Sequence, residues 1–302
     1  MSISVVMCIH SEPVEWLKSS IQSIIQQSFI DFEFIVVNDN PHRELNRQLL
    51  AEYARKESRV TVIHNEENIG LTRSLNIGLS VARGKYIARM DADDISIFHR
   101  LQVQYDFMES NPEYILCGSD AWIIDEKGEK VNKGLNIYFE DQKIREIFPI
   151  LNPMCHPSLF MNRSVLNQSR IKYNETYRYA QDYEIIRELL NCGKVCNLST
   201  KLLKYRKSPD QISRSKFSLQ HKYANQTRLR YMQDIFDAQG CSAQEIYKQL
   251  KLVSKDKIVY NSLLSLLTNF DLAVDKKEYY MSVLSFRYSL RDSLKLVFRS
   301  LK

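Results

Sequence analysis

Three aspartates within four residues, Asp91-Ala92-Asp93-Asp94, are the part of this sequence best suited to chemistry. They directly follow the apolar segment Tyr86–Met90, which predicts a strand that ends at a ligand crevice. Alternate residues of an extended segment point the same way, so Asp91 and Asp93 can act together. Two such carboxylates suit Mg²⁺ or Mn²⁺, which proteins often hold together with the phosphate oxygens of a substrate. The segment therefore predicts a divalent-metal site that binds a diphosphate.

Helix capping is the alternative role for these aspartates. Asp93 or Asp94 would cap a helix that begins near Ser96, since a capping carboxylate accepts hydrogen bonds from the first free N–H groups. Taken alone, a D-x-D-D segment supports both interpretations about equally. The surrounding elements and motifs decide between them.

Short apolar segments alternate with amphipathic segments over the first third of the chain. The apolar segments predict strands at Ile3–Ile9, Phe32–Val37, Val60–His64 and Tyr86–Met90. The amphipathic segments predict helices at Val14–Gln27, Glu44–Arg55 and Leu71–Ala82. This alternation predicts an α/β fold with right-handed βαβ units and a mostly parallel central sheet flanked by helices. Ligands lie beyond the carboxyl ends of such strands, which here are followed by residues 10–12, 38–40, 65–70 and 91–94.

The pattern becomes less regular after residue 95. We predict a helix at Phe98–Met108, a strand at Tyr114–Ile124, a loop at Asn152–Phe160 that enters a short strand, a helix at Ala180–Leu190 and an edge strand at Lys201–Arg206. From Phe217 onward the pattern is helical. We place a boundary near residue 210, between an α/β domain of residues 1–210, with halves 1–95 and 96–210, and a basic helical region of residues 211–302.

Composition excludes several classes of protein. The chain has 302 residues, of which 44% are hydrophobic and 26% charged, as in ordinary globular domains. No run reaches the roughly 18 apolar residues of a membrane span, and the first residues lack the features of a signal peptide, so we expect a cytoplasmic protein. The six cysteines are scattered, which predicts reduced and mostly buried thiols rather than a zinc site.

Five segments stand in a definite order along the chain: Ser4–Ile9, Val36–Asn40, Asn68–Leu71, Gly84–Asp94 and Gln181-Asp182. They resemble the opening strand, the V-[DN]-D-x-[ST] strand end, the N-x-G helix start, the G-x-Y-[IL]-x-x-[LM]-D-x-D-D segment and the later acidic dipeptide of family 2 inverting glycosyltransferases. Asn40-Pro41 departs from the family, which has a small residue there. The resemblance is dense over residues 3–95, thinner to about 207 and absent beyond. It implies a GT-A fold with a helical C-terminal extension, and the type that assembles bacterial surface polysaccharide.

The resemblance implies a donor site for a nucleoside-diphosphate sugar in residues 1–95, with UDP as the expected nucleotide. Asp39 would contact the base, and Asp91 and Ala92 would lie near the ribose and the diphosphate. Asp93 would be the principal ligand of Mn²⁺ or Mg²⁺, with Asp91 beside it. Glu12 would face the base and ribose; the alternative for Glu12 is a first-turn charge at the positive end of a helix.

Asp182 corresponds to the position that serves as general base in this family. Direct displacement at an anomeric carbon needs a carboxylate that accepts the proton of the attacking hydroxyl. A single displacement inverts the anomeric configuration. The alternative for Asp182 is an N-cap of the helix that follows, and Glu184 is the second candidate for the base and for an acceptor contact.

Other residues complete the candidate set. Arg73 would reach the diphosphate, whereas Asn68 and Gly70 beside it are better explained as a helix cap and a turn. His156, in a His-Pro-Ser segment similar to the family's acceptor loop, would bind acceptor hydroxyls or complete the metal shell; its alternative is a structural hydrogen-bonding role. The basic segment Lys204–Ser208 is similar to the family's closing segment and would meet phosphate, or carry solvated charge.

The net charge of +6 is unevenly distributed, since residues 201–302 hold 20 Lys and Arg against 9 Asp and Glu. A basic repeat at every fourth position there predicts a helix that lies on anionic lipid or packs on the protein: Arg287, Arg291, Lys295 and Arg299. The first alternative would bring the helix to the inner face of the cytoplasmic membrane. The resemblance implies an acceptor that is a glycan or a polyprenyl-diphosphate-linked oligosaccharide.

Two other functions compete with this interpretation. A nucleic-acid-binding protein would use the basic half, but no reader motif occurs and the sequence pI is about 8.8, so we expect no nucleic-acid partner. A nucleotidyltransferase would need a Gly-rich phosphate loop near the N-terminus, and residues 8–20 contain no glycine. The glycosyltransferase remains the favoured prediction.

Overall fold

A computed structural model describes residues 1–131, 134–135, 137–149, 151–208 and 217–239. Its strands are β1 (Ile3–Ile9), β2 (Phe32–Asn38), β3 (Val60–His64), β4 (Tyr86–Asp91), β5 (Ile95–Ser96), β6 (Tyr114–Ile124), β7 (Phe160–Asn162) and β8 (Lys194–Arg206). Its helices are α1 (Val14–Ile25), α2 (Glu44–Lys56), α3 (Leu71–Val81), α4 (Arg100–Ser110), α5 (Asp141–Ile147), α6 (Arg163–Gln168), α7 (Gln181–Leu190) and α8 (Phe217–Gln239). Residues His156–Ser158 form a 3₁₀ turn.

The strands form one sheet in the order β3-β2-β1-β4-β7-β6-β8-β5. Strands β3, β2, β1 and β4 are parallel, which confirms the predicted βαβ units. In the other half, β7 is antiparallel to β4 and β6, β6 and β8 are parallel, and β5 is antiparallel to β8. The carboxyl end of β4 therefore lies near the middle of the sheet, where the parallel and mixed halves meet.

Strands β1 and β2 are buried at every residue, as expected for parallel strands covered on both faces. Gly84 lets the backbone before β4 lie close to β1, because a side chain there would place a Cβ atom 2.4 Å from the Ser4 nitrogen. The Gly84 N–H instead donates to the Ser4 hydroxyl at 2.8 Å. This contact stands at the start of a register that places Asp91 opposite Cys8.

Two predictions for the second half were wrong. The segment Lys201–Arg206 belongs to the longer strand β8, which lies between β6 and β5 and is not an edge strand. The true edge, β5, has two residues, too few for any periodic pattern. Helix α4 begins at Arg100, two residues later than predicted.

The described cysteines are free, which confirms the predicted thiols. Cys8, Cys117, Cys155 and Cys196 are buried and Cys192 is exposed. Burial raises the pKa of Cys8 to about 12, so this thiol stays protonated and unreactive.

The chain divides into two compact units. The first comprises residues 1–144 and 153–223, and the second comprises residues 145–152 and 224–302. Within the second unit, the rings of Phe148 and Tyr231 pack with centroids 4.7 Å apart. The boundary near residue 210 stays a prediction, because residues 209–216 lie outside the described part, as does the basic repeat at 287–299. In the part of the chain that the structure describes, no helix is both long and apolar enough to cross a membrane.

Candidate active site

The end of β4 gathers three carboxylates, which we call the acidic cluster: Asp91, Asp93 and Asp94. One oxygen from each lies within 4.8 Å of the others, a spacing at which hard oxygen donors can share one Mg²⁺ or Mn²⁺. Asp94 is fully buried, and in the described part of the chain its Oδ2 atom has no hydrogen-bond partner. Ala92, between the carboxylates, is also buried. The three carboxylates therefore fit the predicted divalent cation, and the Asp94 Oδ2 atom is an oxygen that could serve as a further ligand.

Arg206, at the end of β8, fixes the turn that carries the cluster. Its backbone N–H donates to Asp94 Oδ1 at 2.7 Å, and its Nε donates to the Asp93 carbonyl at 2.8 Å. The capping alternative for these aspartates is wrong, because α4 begins at Arg100 with His99 as its N-cap and receives no side-chain cap. Arg206 is buried. In the segment predicted to meet phosphate, this residue instead binds the turn that carries the acidic cluster.

Burial and mutual repulsion raise the pKa values of Asp93 and Asp94. Burial is the larger cause for Asp93, whose pKa rises to about 7, and the charges of Asp91 and Glu12 add to it. Burial also raises the pKa of Asp94 well above its usual value, and the charges of Asp93 and Asp91 contribute. A bound cation favours the charged carboxylates. Without a cation, Asp93 and Asp94 are therefore less readily ionised than ordinary aspartates.

Asp39 follows β2 and organises the loop before α3. Its Oδ1 accepts hydrogen bonds from Asn65 Nδ2 at 2.7 Å and from the Ile69 N–H at 2.9 Å. Its Oδ2 accepts one from the Gly70 N–H at 2.9 Å. We call these four residues the Asp39 network. The predicted contact of Asp39 with a nucleotide base stays a prediction.

Glu12 lies in the loop after β1, close to the acidic cluster. Its Oε2 accepts a hydrogen bond from the His10 N–H at 2.8 Å. Burial raises the pKa of Glu12, backbone hydrogen bonds lower it, and the charge of Asp91 raises it. The first-turn alternative is wrong, because Pro13 is the N-cap of α1 and the acidic residue of its first turn is Glu15.

The start of α3 differs in part from its prediction. Gly70 is the N-cap, with a φ of 86°, which confirms its turn role. Asn68 does not cap the helix; its side-chain amide lies 2.7 Å from His10 Nε2 and joins two loops. Arg73 is exposed and pairs with Glu175 at 3.5 Å. Its contact with a diphosphate stays a prediction.

Asp182 is the second residue of α7, so the N-cap alternative is wrong. The N-cap is Ala180, whose φ of 54° lies in the left-handed region, a strain that often marks functional sites. Burial raises the pKa of Asp182, backbone N–H groups lower it, and the charge of Asp91 raises it. Glu184 is fully buried and pairs with Arg187 at 3.0 Å.

His156 stands at the start of the 3₁₀ turn beside β4. Its Nε2 lies 2.8 Å from the hydroxyl of Tyr173. Burial holds the pKa of His156 well below its usual value, and the charge of Arg89 lowers it further. The ring is therefore neutral. Among the described residues, the group that could hold a metal consists of the three aspartates and does not include His156.

Arg89 was missed by the sequence analysis. It lies within β4, is 1% exposed, and its Nη2 pairs with Asp91 Oδ1. The only signal in the sequence is a charged residue inside the apolar segment Tyr86–Met90, and a strand pattern cannot tell whether such a residue points to solvent or to a site.

A model of the family described as "Glycosyl transferase family 2" matches residues 4–170, which span β1 to α6 and include the acidic cluster and the Asp39 network. The chain belongs to glycosyl transferase family 2. It is therefore a glycosyltransferase, and its sheet is that of the GT-A fold.

Curated relatives agree with this membership. An uncharacterized glycosyltransferase of Methanocaldococcus jannaschii is 38% identical over 205 residues, which cover 68% of this chain and 70% of the relative. The O-antigen biosynthesis glycosyltransferase WbnJ of Escherichia coli is 34% identical over 209 residues, which cover 68% of this chain and 79% of the relative. Both alignments span about the length of the α/β unit.

The fold is shared with TarS of S. aureus. A crystal structure of its residues 1–349 in complex with UDP-GlcNAc matches with a TM-score of 0.56 at 17% identity, covering 95% of this chain and 71% of that one. This chain spans 54% of a longer TarS crystal structure, with a TM-score of 0.59 at 15% identity. At such identity the likeness shows the fold alone.

Proposed function

We propose that this glycosyltransferase transfers a hexose or N-acetylhexosamine from a UDP-sugar to a hydroxyl of a glycan, with inversion. The observation that carries the proposal is the position of the acidic cluster beside Asp182, close enough for the charge of Asp91 to raise the pKa of Asp182. A single displacement needs a donor site and a base within reach of each other. The TarS complex with UDP-GlcNAc supports UDP as the nucleotide.

The donor would lie across the carboxyl ends of β1, β2 and β4. Asp93, with Asp91, would hold Mn²⁺ or Mg²⁺, which when bound supplies positive charge to the leaving diphosphate. Asp39 and Glu12 would contact the nucleoside, and Arg73 would have to leave Glu175 to reach the diphosphate.

Asp182 would accept the proton of the acceptor hydroxyl as its oxygen attacks the anomeric carbon. The bond from that carbon to the diphosphate oxygen breaks, and UDP leaves with the bonding electrons, so the configuration inverts. Its raised pKa makes Asp182 a stronger proton acceptor than an exposed aspartate. Glu184 is disfavoured as the base, because it is fully buried and bound to Arg187.

The acceptor would enter from the second half of the sheet. His156, neutral and hydrogen bonded to Tyr173, can bind an acceptor hydroxyl without adding charge. The names of the relatives, among them an O-antigen glycosyltransferase, support a role in bacterial surface polysaccharide, O-antigen, capsule or lipooligosaccharide. A polyprenyl-diphosphate-linked acceptor would place the enzyme in the cytoplasm, at the inner face of the membrane.

Calorimetric titration of UDP, dTDP and GDP into the full chain, with Mn²⁺ and with EDTA, tests the donor. We expect UDP to bind in the presence of Mn²⁺, Asp93→Ala to remove this binding and Asp182→Ala to retain it. Arg83→Gln, which removes an ion pair with Glu33 near the amino ends of β1 and β2, is the matched control and should bind as the wild type does. If none of the three nucleotides binds in either condition, the proposal is wrong.

A further inference from the structure

Two arginines are buried beside the carboxyl end of β4, and their surroundings differ. Arg100 is 0% exposed and donates to Gln104 Oε1 at 2.9 Å, to Met90 Sδ at 3.4 Å and to the Arg89 carbonyl at 2.7 Å. Arg89 is 1% exposed, and its Nε and Nη1 atoms have no hydrogen-bond partner among the residues that the structure describes. Only Arg100 therefore has the bonds that make a buried arginine a structural residue.

Among the described residues, the guanidinium of Arg89 has one close polar contact, its ion pair with Asp91 Oδ1. Asp91 is 29% exposed through its side chain, so the pair joins the core of the sheet to the open side of the acidic cluster. The charge of Arg89 also lowers the pKa values of Asp93 and Asp94, against the larger effect of burial. Arg206, the other arginine at the cluster, donates to backbone carbonyls of residues 93, 125 and 126.

A buried guanidinium with unused donors destabilises a fold unless a charge partner compensates for its desolvation. The reverse also holds, since three neighbouring carboxylates repel one another unless a cation is close. The acidic cluster supplies the charge partner that buried Arg89 needs, and Arg89 supplies the nearby cation that the carboxylates need.

We propose that Arg89 is a positioning residue that holds Asp91 in place and balances the charge of the acidic cluster before a donor binds. The effect of Arg89 on donor binding rests on the proposed function. The ion pair itself does not, so the two can be tested separately.

Urea unfolding in EDTA at pH 8 tests the pair without any ligand. The proteins are the full-length wild type, Arg89→Met, Asp91→Asn and the double variant. In the wild-type background, Asp91→Asn should lower the midpoint, because Arg89 loses its partner. In the Arg89→Met background, the same substitution should raise the midpoint, because one repelling carboxylate is gone. Equal effects in both backgrounds would overturn the inference. If Arg89→Met does not fold, Arg89→Gln, which also removes the positive charge, completes the cycle.

Titration of UDP in the presence of Mn²⁺ tests the consequence. Arg89→Met should bind UDP about tenfold or more weakly, which corresponds to about 1.4 kcal/mol, and Arg89→Lys should lie between it and the wild type. Arg100→Met is the matched control: it should lose stability and keep the UDP affinity of the wild type. Wild-type affinity in Arg89→Met would overturn the positioning role. If the wild type itself does not bind UDP, the proposed function fails, and the unfolding cycle still decides whether Arg89 balances the cluster.

Discussion

The Asp39 network and the acidic cluster follow two strands that flank β1, and they handle negative charge in opposite ways. Asp39 accepts three hydrogen bonds of 2.7 to 2.9 Å from the loop between β3 and α3. The cluster keeps an unpartnered buried oxygen on Asp94, and burial with repulsion raises the pKa of Asp93 to about 7. The first carboxylate is already stabilised by N–H donors, whereas the second group needs a cation to be fully charged.

This difference indicates separate tasks. Hydrogen bonds to a charged carboxylate fix its position before any ligand arrives. A group of carboxylates whose charge is not compensated is instead suited to bind a cation, and its affinity falls as protons compete. Substitutions in the two groups should therefore differ in what they change.

The largest effect is expected at Asp182, which lies beside the cluster and has a different role. Asp182→Asn should lower kcat by roughly 10²- to 10⁴-fold, the usual contribution of a general base. UDP affinity should stay near that of the wild type, since Asp182 is not a donor ligand in the proposed mechanism. Initial rates of UDP release measure kcat, and calorimetry measures UDP affinity.

Glu184→Gln is the control for this substitution. It removes the charge that pairs with Arg187, so it should lower stability while the folded fraction keeps a kcat within a few-fold of the wild type. A larger loss of kcat in Glu184→Gln than in Asp182→Asn would assign the base to Glu184.

Asp93→Asn should come next, with the loss of Mn²⁺-dependent UDP binding. The substitution removes one of the oxygen donors that would hold the cation, and the expected loss of affinity is about 100-fold. Asp39→Asn should leave the dependence on Mn²⁺ intact, even if it weakens UDP binding. Loss of Mn²⁺ dependence in both variants would remove the distinction between the two groups.

Asp39→Ala should lower the free energy of unfolding by about 1 to 3 kcal/mol, because one buried and two partly buried N–H donors lose their acceptor. Asp93→Asn should have no such cost in EDTA, since it relieves repulsion among carboxylates. Urea unfolding of both variants gives the comparison. A loss of stability in Asp93→Asn as large as in Asp39→Ala would contradict the expected difference between the acidic cluster and the Asp39 network.

The pH dependence of stability gives the smallest effect. The folded pKa of Asp93 is raised to about 7, so its contribution to stability is complete below the unfolded pKa, near 4, and is lost as the pH rises through 7. In EDTA, the wild type should therefore lose about 1 kcal/mol more than Asp93→Asn between pH 6 and pH 8. Parallel pH profiles for the two proteins would show that Asp93 does not titrate in this range.

The parallel half of the fold could be predicted from the sequence because its signals are local. Each of β1 to β4 is a short apolar run followed by turn residues, and its predicted bounds agree with the structure within one residue. The second half depends on pairing between distant segments. Strand β5 is too short to give a pattern, and β8 is interior only because β5 pairs with it.

The same distinction holds at the site. The aspartates of the cluster could be found because a motif surrounds them. The partners of that cluster could not: Arg206 lies more than a hundred residues away in the chain, and Arg89 looks like any residue of a strand. The roles of hydrogen-bond donors such as Asn68 depend on a neighbouring loop, so the sequence predicted a cap where the structure has a link to His10.

The most direct test of the contrast between the two groups is the effect of Mn²⁺ on unfolding at pH 8. Wild type, Asp93→Asn and Asp39→Asn would each be unfolded in urea with EDTA and with millimolar Mn²⁺. Mn²⁺ should raise the midpoint of the wild type and of Asp39→Asn and leave that of Asp93→Asn unchanged. Equal stabilisation of Asp93→Asn and the wild type, or no stabilisation of the wild type, would contradict the claim that the acidic cluster binds the cation.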